Sequence, residues 1–270
     1  MQSEIAQAIK LQHQPVAFVL TEKPPEKAMR FAEGKWGCVM FLAANAARGK
    51  TAVISSNNFG CWGGGVGLGF GNRYKDFPGG KECFLRFLSS GNQDWEKGRA
   101  VGEMLMGKAG RDFASNFLEG EGYVKNPELT REWLDQLPIT DVSPKSVVLM
   151  PLAEINPDDE QPESVTFFVN ADQLSALVVL ANYGRKGREN VAIPWAAACQ
   201  NIGIMPLEEG RSAHPRAVVG LTDLSARKYV RKLLGEQYLS FAMPWQLFQA
   251  MEKDVPGSFL ERHSWQSLLE

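Results

Sequence analysis

Closely spaced cysteines are missing from this 270-residue sequence, which contains only four cysteine residues. None of the four forms a CxxC pair, so the sequence has neither a zinc ribbon nor a thioredoxin-type redox motif. Four scattered cysteines are also too few for the disulfide framework of a small secreted protein. We therefore expect reduced thiols and a cytoplasmic protein.

Long apolar segments are missing as well. The longest strongly apolar run lies around Leu174–Ala181, far short of the roughly 20 residues that a membrane-spanning helix needs. At the N-terminus, Glu4 precedes any apolar stretch, which is not typical of a signal peptide. We therefore expect no membrane partner.

An excess of one charge is also absent, since 29 Lys and Arg residues stand against 31 Asp and Glu residues. The formal net charge of −2 argues against broad electrostatic binding to nucleic acid. With 44% hydrophobic and 22% charged residues, the composition is that of a globular protein with a buried core. We expect a small-molecule ligand as the partner, and no nucleic acid.

Common catalytic signatures do not occur in the sequence. It contains no HExxH or GxSxG motif, and only three histidines. Within the glycine-rich segment Gly60–Gly71 the nucleotide-binding patterns GxGxxG and GKS or GKT are absent. If the protein is an enzyme, redox chemistry fits the sequence better than hydrolysis.

Strand-like runs and helical patterns alternate along the chain, which predicts an α/β or intermixed α+β fold with helices packed on a mixed sheet. We expect one compact domain over residues 1–270. An acidic loop at 154–163 is the best hinge if the chain instead forms lobes 1–153 and 164–270. In each half an apolar helix with a cysteine precedes a strand, which suggests a weak internal two-fold.

Local signals place several helix ends. The predicted apolar helix Trp36–Arg48 is followed by Gly49 as a C-terminal cap. Asn170 and Gln173 have the spacing of a capping box at the start of another helix. A helix over Asp223–Leu234 is expected to end at Gly235.

The densest local feature is a run of seven glycines among twelve residues that follows a predicted strand. It can be interpreted as a loop that lets a ligand approach the backbone, or as a packed turn or flat strand that a helix contacts. Trp62, at the start of the run, could wall a pocket or stack on a flat ligand. In the ligand interpretation the cofactor-binding residues are Gly63, Gly64, Gly65, Gly67 and Gly69.

The cysteines are the candidate ligands of a metal or an iron–sulfur cluster, which thiolates prefer as ligands. Cys38, Cys61 and Cys199 are the favoured set, and Cys83 is the least suitable because it lies on an ordinary helical pattern. For each cysteine alone, an inert core thiol is the simpler interpretation. A nucleophilic Cys61 in a thiol-dependent transferase is a third alternative.

Positive charge is concentrated between Gly184 and Lys232. Within this region Arg216 and Arg227 are candidates for holding an anionic ligand or a buried carboxylate, because a guanidinium group binds carboxylates and phosphates in a bidentate way. Asp223, four residues before Arg227, could equally pair with it on one helix face.

Several segments together resemble a known family. They are PVAFVL, WGCVMFLAANAARGKTAVISSNNFGCWGGGVGLGF, AAACQNIG, VVGLTDLSARKYV and SFAMPWQLFQAME, and they are similar to the domain-of-unknown-function family numbered 169. The resemblance implies a soluble bacterial or archaeal protein and supplies no established activity. Five residues of interest lie inside these segments: Cys38, Cys61, Cys199, Asp223 and Arg227.

The sequence thus predicts a pocket where the glycine-rich loop meets the helix of Cys199. The pocket would bind a small anionic ligand or a thiolate-ligated metal or iron–sulfur cofactor, with a redox role. The alternative is a cofactor-free module for small-molecule binding or interaction, in which the cysteines are structural.

Overall fold

The structure is a computed structural model that describes residues 1–32, 34–156 and 161–269. Within these ranges seven strands form one mixed sheet. The strands are β1 (Val16–Thr21), β2 (Ala52–Ile54), β3 (Ser146–Pro151), β4 (Ser164–Val169), β5 (Val191–Ala192), β6 (Ala217–Gly220) and β7 (Leu239–Pro244). Their order across the sheet is β2-β3-β1-β4-β7-β6-β5, and every pair is antiparallel except β5 with β6.

Helices lie between the strands along the chain, so the predicted intermixing of helix and strand is confirmed. The α-helices of the described residues are α1 (Glu4–Ala8), α2 (Val39–Ala46), α3 (Trp62–Gly67), α4 (Lys81–Phe87), α5 (Glu96–Lys108), α6 (Arg111–Glu119), α7 (Pro127–Asp135), α8 (Ala171–Tyr183), α9 (Ala198–Ile202), α10 (Ile204–Gly210), α11 (Leu224–Leu234), α12 (Trp245–Lys253) and α13 (His263–Gln266). Short 3-10 helices cover Arg73–Asp76, Leu152–Glu154 and Phe259–Glu261.

The chain groups into two compact units, Met1–Gly71 with Thr140–Glu270, and Asn72–Ile139. The second unit contains the helices α4 to α7 and has an aromatic core, in which the Tyr74 and Phe84 rings stack with centroids 4.1 Å apart. Whether the chain is one domain or has lobes that meet at 154–163 stays a prediction, and residues 157–160 of that loop lie outside the described ranges.

The first unit contains the whole sheet, which is buried on both faces. Alternate residues of β1 enter opposite cores, as the two-residue period of a strand requires. Ala17 and Val19 join the core beneath α1, α8 and α12, whereas Val16 and Phe18 join the core that includes α2 and α11. All elements that carry the candidate cysteines of this unit lie on the second face.

The strand order repeats between the two halves of the chain. The order β2-β3-β1 on one side of the sheet centre corresponds to β6-β7-β4 on the other, and β1 pairs antiparallel with β4 at the centre. A parallel bridge joins Met29 to Ala52 in β2, just as β5 runs parallel to β6. On this scheme α2 corresponds to α9 and α3 to α11. The cross-pairs α2 with α11 and α3 with α9 are both in contact, which agrees with the internal two-fold expected from the sequence.

The glycine-rich segment differs from the prediction. Trp62–Gly67 is helix α3, so the prediction of a loop there is wrong. Glycine disfavours a helix interior, but tertiary contacts override this preference because α3 packs closely against α9. The predicted helix Trp36–Arg48 is also shorter in the structure, since α2 begins after Cys38.

Candidate functional site

Cys61 is the N-cap residue of α3, directly after the turn that follows β2. Its Sγ atom accepts a hydrogen bond from the Gly64 amide at 3.2 Å. This bond satisfies one of the amides that the first turn of a helix leaves without a partner. The thiol is therefore held at the start of α3 by the backbone of that helix.

The glycines of α3 allow a close approach of neighbouring elements. A Cβ atom added at Gly64 would lie 2.6 Å from Val39 Cγ2, and one added at Gly67 would lie 2.8 Å from Cys199 Sγ. At Gly63 the nearest contact would be the Cys61 sulfur at 3.9 Å. Close packing thus accounts for Gly64 and Gly67, whereas Gly63 has room for a side chain.

The two remaining candidate glycines have different surroundings. Gly65 is a buried residue within α3. Gly69 lies beyond the helix with a φ angle of 87°, a conformation that favours glycine. That any of these glycines contacts a ligand stays a prediction.

Cys199 comes from α9, which packs against α3. Its Sγ atom donates to the Gly63 carbonyl oxygen at 3.2 Å. The side chain is buried, with 7% of its surface exposed. The second half of the chain therefore places a thiol against the first turn of α3.

Cys38 is the N-cap residue of α2 and completes a group of three thiols. Burial, and next the charge of Cys61, raise its pKa to about 12. The pKa of Cys199 is raised well above its usual value by burial, and next by Cys61 and Cys38. We call Cys38, Cys61 and Cys199 the thiol cluster. Its members lie close enough to oppose one another's ionisation.

Asp223 lies beside the thiol cluster and bridges two helices. Its Oδ1 atom accepts from the Ala226 amide in α11 at 2.6 Å, and its Oδ2 atom accepts from the Ala198 amide in α9 at 2.5 Å. Burial raises the pKa of this carboxyl group, and both hydrogen bonds oppose that shift. Asp223 raises the pKa of Cys38, Cys61 and Cys199 in turn.

Cys83 belongs to the helical unit, where it is buried in α4. Burial raises the pKa of its thiol, followed by opposing effects of Lys97 and Arg86. The pKa changes of the thiol cluster involve no effect from Cys83.

The two candidate arginines form bonds within the protein. Arg216 lies in a salt bridge with Glu209, with Nη2 at 2.6 Å from Oε1. Arg227 donates to the carbonyl oxygens of Leu221, Tyr238 and Glu236. Ligand binding by either arginine stays a prediction, but these guanidinium groups already have protein acceptors.

Aromatic side chains lie near the thiol cluster. The rings of Trp36 and Trp62 meet edge to face with centroids 4.7 Å apart, and Trp36 is 47% exposed. Tyr229, which the sequence reasoning missed, has its pKa raised first by burial and then by the charges of Cys38 and Cys61. Its place in the segment VVGLTDLSARKYV was the one available signal.

The thiol cluster is not a formed metal centre. Within the described ranges, no group of three or more His, Cys, Asp and Glu side chains could hold a metal ion as these side chains are placed. Cys61 and Cys199 instead form hydrogen bonds with the backbone of α3. Among the same residues, no helix has the length and apolar character needed to cross a membrane.

The family comparison supports what the motifs around these residues suggest. The family DUF169, described as Uncharacterised ArCR, matches residues 4–254, a range that includes the thiol cluster and Asp223. The chain belongs to the DUF169 family. Neither the curated proteins nor the solved structures contain a match to this DUF169 chain.

Proposed function

We propose that the protein binds a thiophilic metal ion, or a cofactor that contains one, through Cys38, Cys61 and Cys199. The observation that carries the proposal is the packing of helix α3, which Cys61 caps, against the segments of the other two cysteines. The Cys199 sulfur lies against Gly63, and Val39, next to Cys38, lies against Gly64. Soft metals and iron–sulfur clusters are the groups that thiolates bind best.

The charges of the site favour a cation over an anion as the ligand. Ionised thiols and the Asp223 carboxylate are all negative. Asp223 raises the pKa of all three thiols, and Cys61 also raises that of Cys38 and Cys199. A bound cation would remove this repulsion and replace the protons of the thiols. An anionic ligand would add to the repulsion. Of the two ligands that the sequence left open, a metal or metal-containing cofactor is therefore better supported than a small anion.

A nucleophilic thiol is less well supported. The thiolate is the reactive form of cysteine, and reactive cysteines have lowered pKa values. Burial raises the pKa of Cys61, as it does for Cys38 and Cys199. A thiol-dependent transferase that uses Cys61 would need the opposite shift.

Metal binding requires a small rearrangement of side chains. The Gly64 amide can keep its hydrogen bond to the Cys61 sulfur, because such bonds to sulfur also occur around bound clusters. Cys199 must give up its bond to the Gly63 carbonyl when its proton leaves. Rotation about the Cα–Cβ bond between staggered positions is the movement that would turn the sulfur away from this carbonyl.

The test is metal analysis of protein purified without oxygen, followed by titration of the metal-free protein with Co²⁺ and Zn²⁺ under reducing conditions. We expect bound metal, and in the Co²⁺ form we expect an absorption band from charge transfer between the thiolates and the metal. C38S, C61S and C199S should each lower the affinity for the metal, whereas C83S, the matched control, should not. Folded wild-type protein that takes up neither ion and purifies free of iron and zinc would refute the proposal.

A second candidate function is binding of a flat aromatic ligand without a cofactor. The edge-to-face pair of Trp36 and Trp62, with Trp36 partly exposed, favours this candidate. Aromatic faces of this kind stack on flat ligands. A screen of flat aromatic compounds by quenching of tryptophan fluorescence tests it, since W36A should abolish quenching in the metal-free protein. Quenching that persists in W36A, or is absent from the wild type, would count against it.

A further inference from the structure

Asp223 occupies the place in the second half of the chain that Cys61 occupies in the first. Each is the N-cap residue of the first α-helix after an equivalent strand, β6 for Asp223 and β2 for Cys61. Each accepts a hydrogen bond from the amide three residues later, of Ala226 and Gly64 respectively. The internal two-fold thus places the Asp223 carboxyl group at the position equivalent to that of the Cys61 thiol.

Asp223 has one contact that a simple N-cap does not have. Its second carboxylate oxygen accepts from the amide of Ala198, which begins α9 and precedes Cys199. A carboxylate can take both bonds because it has two acceptor oxygens. The carboxylate therefore ties the start of α9, one residue before Cys199, to the start of α11.

We infer that Asp223 is a positioning residue of the thiol cluster, which holds the start of α9 so that Cys199 stays against α3. This inference rests on the proposed function, because the position of Cys199 matters for metal binding when the three thiols act together. Asp223 has both oxygens engaged with backbone amides. Its role is therefore exerted through Cys199.

The variant D223S separates the two contacts of Asp223. Serine is about as good an N-cap as aspartate, so α11 keeps its bond from Ala226, but a single hydroxyl group cannot also accept from Ala198. In reduced, metal-free protein we expect the alkylation rate of Cys199, measured by mass spectrometry, to rise about tenfold, the factor typical for the loss of one charge-assisted hydrogen bond. The rate at Cys83 should not change, and the rise at Cys199 should exceed any rise at Cys38 and Cys61, whose pKa Asp223 also raises. An equal rise at all three thiols would mean that the lost charge is the cause and would contradict the positioning role.

N170S is the matched control, because Asn170 caps α8 and the same type of substitution there affects no second helix. It should leave the alkylation of Cys199 unchanged even if it lowers the melting temperature. D223N is the second variant, since its amide nitrogen cannot accept from Ala198, and it should behave as D223S does. If both Asp223 variants fold and alkylate at Cys199 at the wild-type rate, the inference is wrong.

Alkylation and metal binding distinguish this inference from the proposed function. If the wild type binds no metal but D223S exposes Cys199, the positioning role stands and the metal proposal fails. If D223S binds Co²⁺ with the affinity of the wild type and its Cys199 is alkylated at the wild-type rate, the metal proposal stands and the positioning role fails. Both hold if D223S exposes Cys199 and weakens Co²⁺ binding.

Discussion

The Cys199 sulfur lies 3.2 Å from the carbonyl oxygen of Gly63, although the two residues are 136 positions apart in the chain. The contact joins α9 to the first turn of α3. It requires that the two helices approach more closely than most side chains allow, and the glycines of α3 make that approach sterically feasible. The distance between the helices thus depends on residues that have no side chain.

G67A should destabilise the protein. The added Cβ would lie 2.8 Å from three atoms of the α9 segment, the backbone carbon and the sulfur of Cys199 and the amide nitrogen of Gln200. Since two of these atoms are backbone, α9 would have to move away, and we expect a loss of about 1–3 kcal/mol in the free energy of unfolding. Urea denaturation measures the change.

G63A is the control for that substitution, because its Cβ would meet only the Cys61 sulfur at an ordinary 3.9 Å. Alanine also favours a helix over glycine, so we expect unchanged stability or a gain of up to about 1 kcal/mol. Equal losses in G63A and G67A would mean that close packing on α9 is not the reason for glycine at 67.

Stability should fall at alkaline pH because the Cys38 thiol ionises less readily in the folded protein. Its pKa is near 9.0 when unperturbed and about 12 in the folded state. Between these values the folded state binds more protons, so the contribution to stability is complete below pH 9 and decreases as pH rises towards 12. Urea denaturation at a series of pH values would show this decrease.

C38S lacks this titration and should lose stability less steeply over the same range, with a difference of at most about 1.4 kcal/mol per pH unit. Groups outside the thiol cluster that titrate there are common to both proteins and cancel in the comparison. Parallel stability curves for the wild type and C38S would contradict the raised pKa.

R227A should lower stability more than R216A. Arg227 donates to three carbonyl oxygens, which would lose a charged donor, so we expect a loss of about 1–3 kcal/mol. Arg216 forms a half-exposed salt bridge with Glu209, and such pairs contribute about 1 kcal/mol or less. Thermal and urea denaturation of both variants provide the comparison.

The same two variants test the anionic-ligand prediction. Phosphate that stabilises the wild type, but neither R216A nor R227A, would support a ligand role for these arginines. R227K should recover little of the stability, since one ammonium group cannot bond all three carbonyl oxygens. Full stability in R227K would show that charge alone is what matters at this position.

Local signals in the sequence were sufficient to predict those features of the structure that depend on residues adjacent in the chain. The capping box of α8 is present with both bonds, from the Gln173 amide to Asn170 and from the Asn170 amide to Gln173. The helical pattern expected around Cys83 is confirmed, since this residue lies in α4. Caps and strand runs are properties of a few adjacent residues, so a sequence pattern identifies them.

Contacts between distant segments were not accessible in this way. Glycine has a low preference for helices, so the glycines of α3 indicate a loop. Only their packing against α9 explains why they form a helix. Likewise, the carbonyl partners of Arg227 appear only when α11 and β7 are placed in the fold. The helical pattern at Cys83 and the family segments could favour Cys38, Cys61 and Cys199 as a set, but their meeting depends on the internal two-fold.

The central position of β1 has a consequence for biosynthesis. This strand is translated early, yet its neighbours in the sheet are β3 and β4, and residue Val16 pairs with Pro151 and Thr166. During translation β1 must therefore wait until more than half of the chain has been made before either of its edges is paired. Contacts of such long range also slow folding. The thiol cluster, whose last member is Cys199, is completed only after Cys38 and Cys61 have been carried as separate thiols on an unfinished sheet.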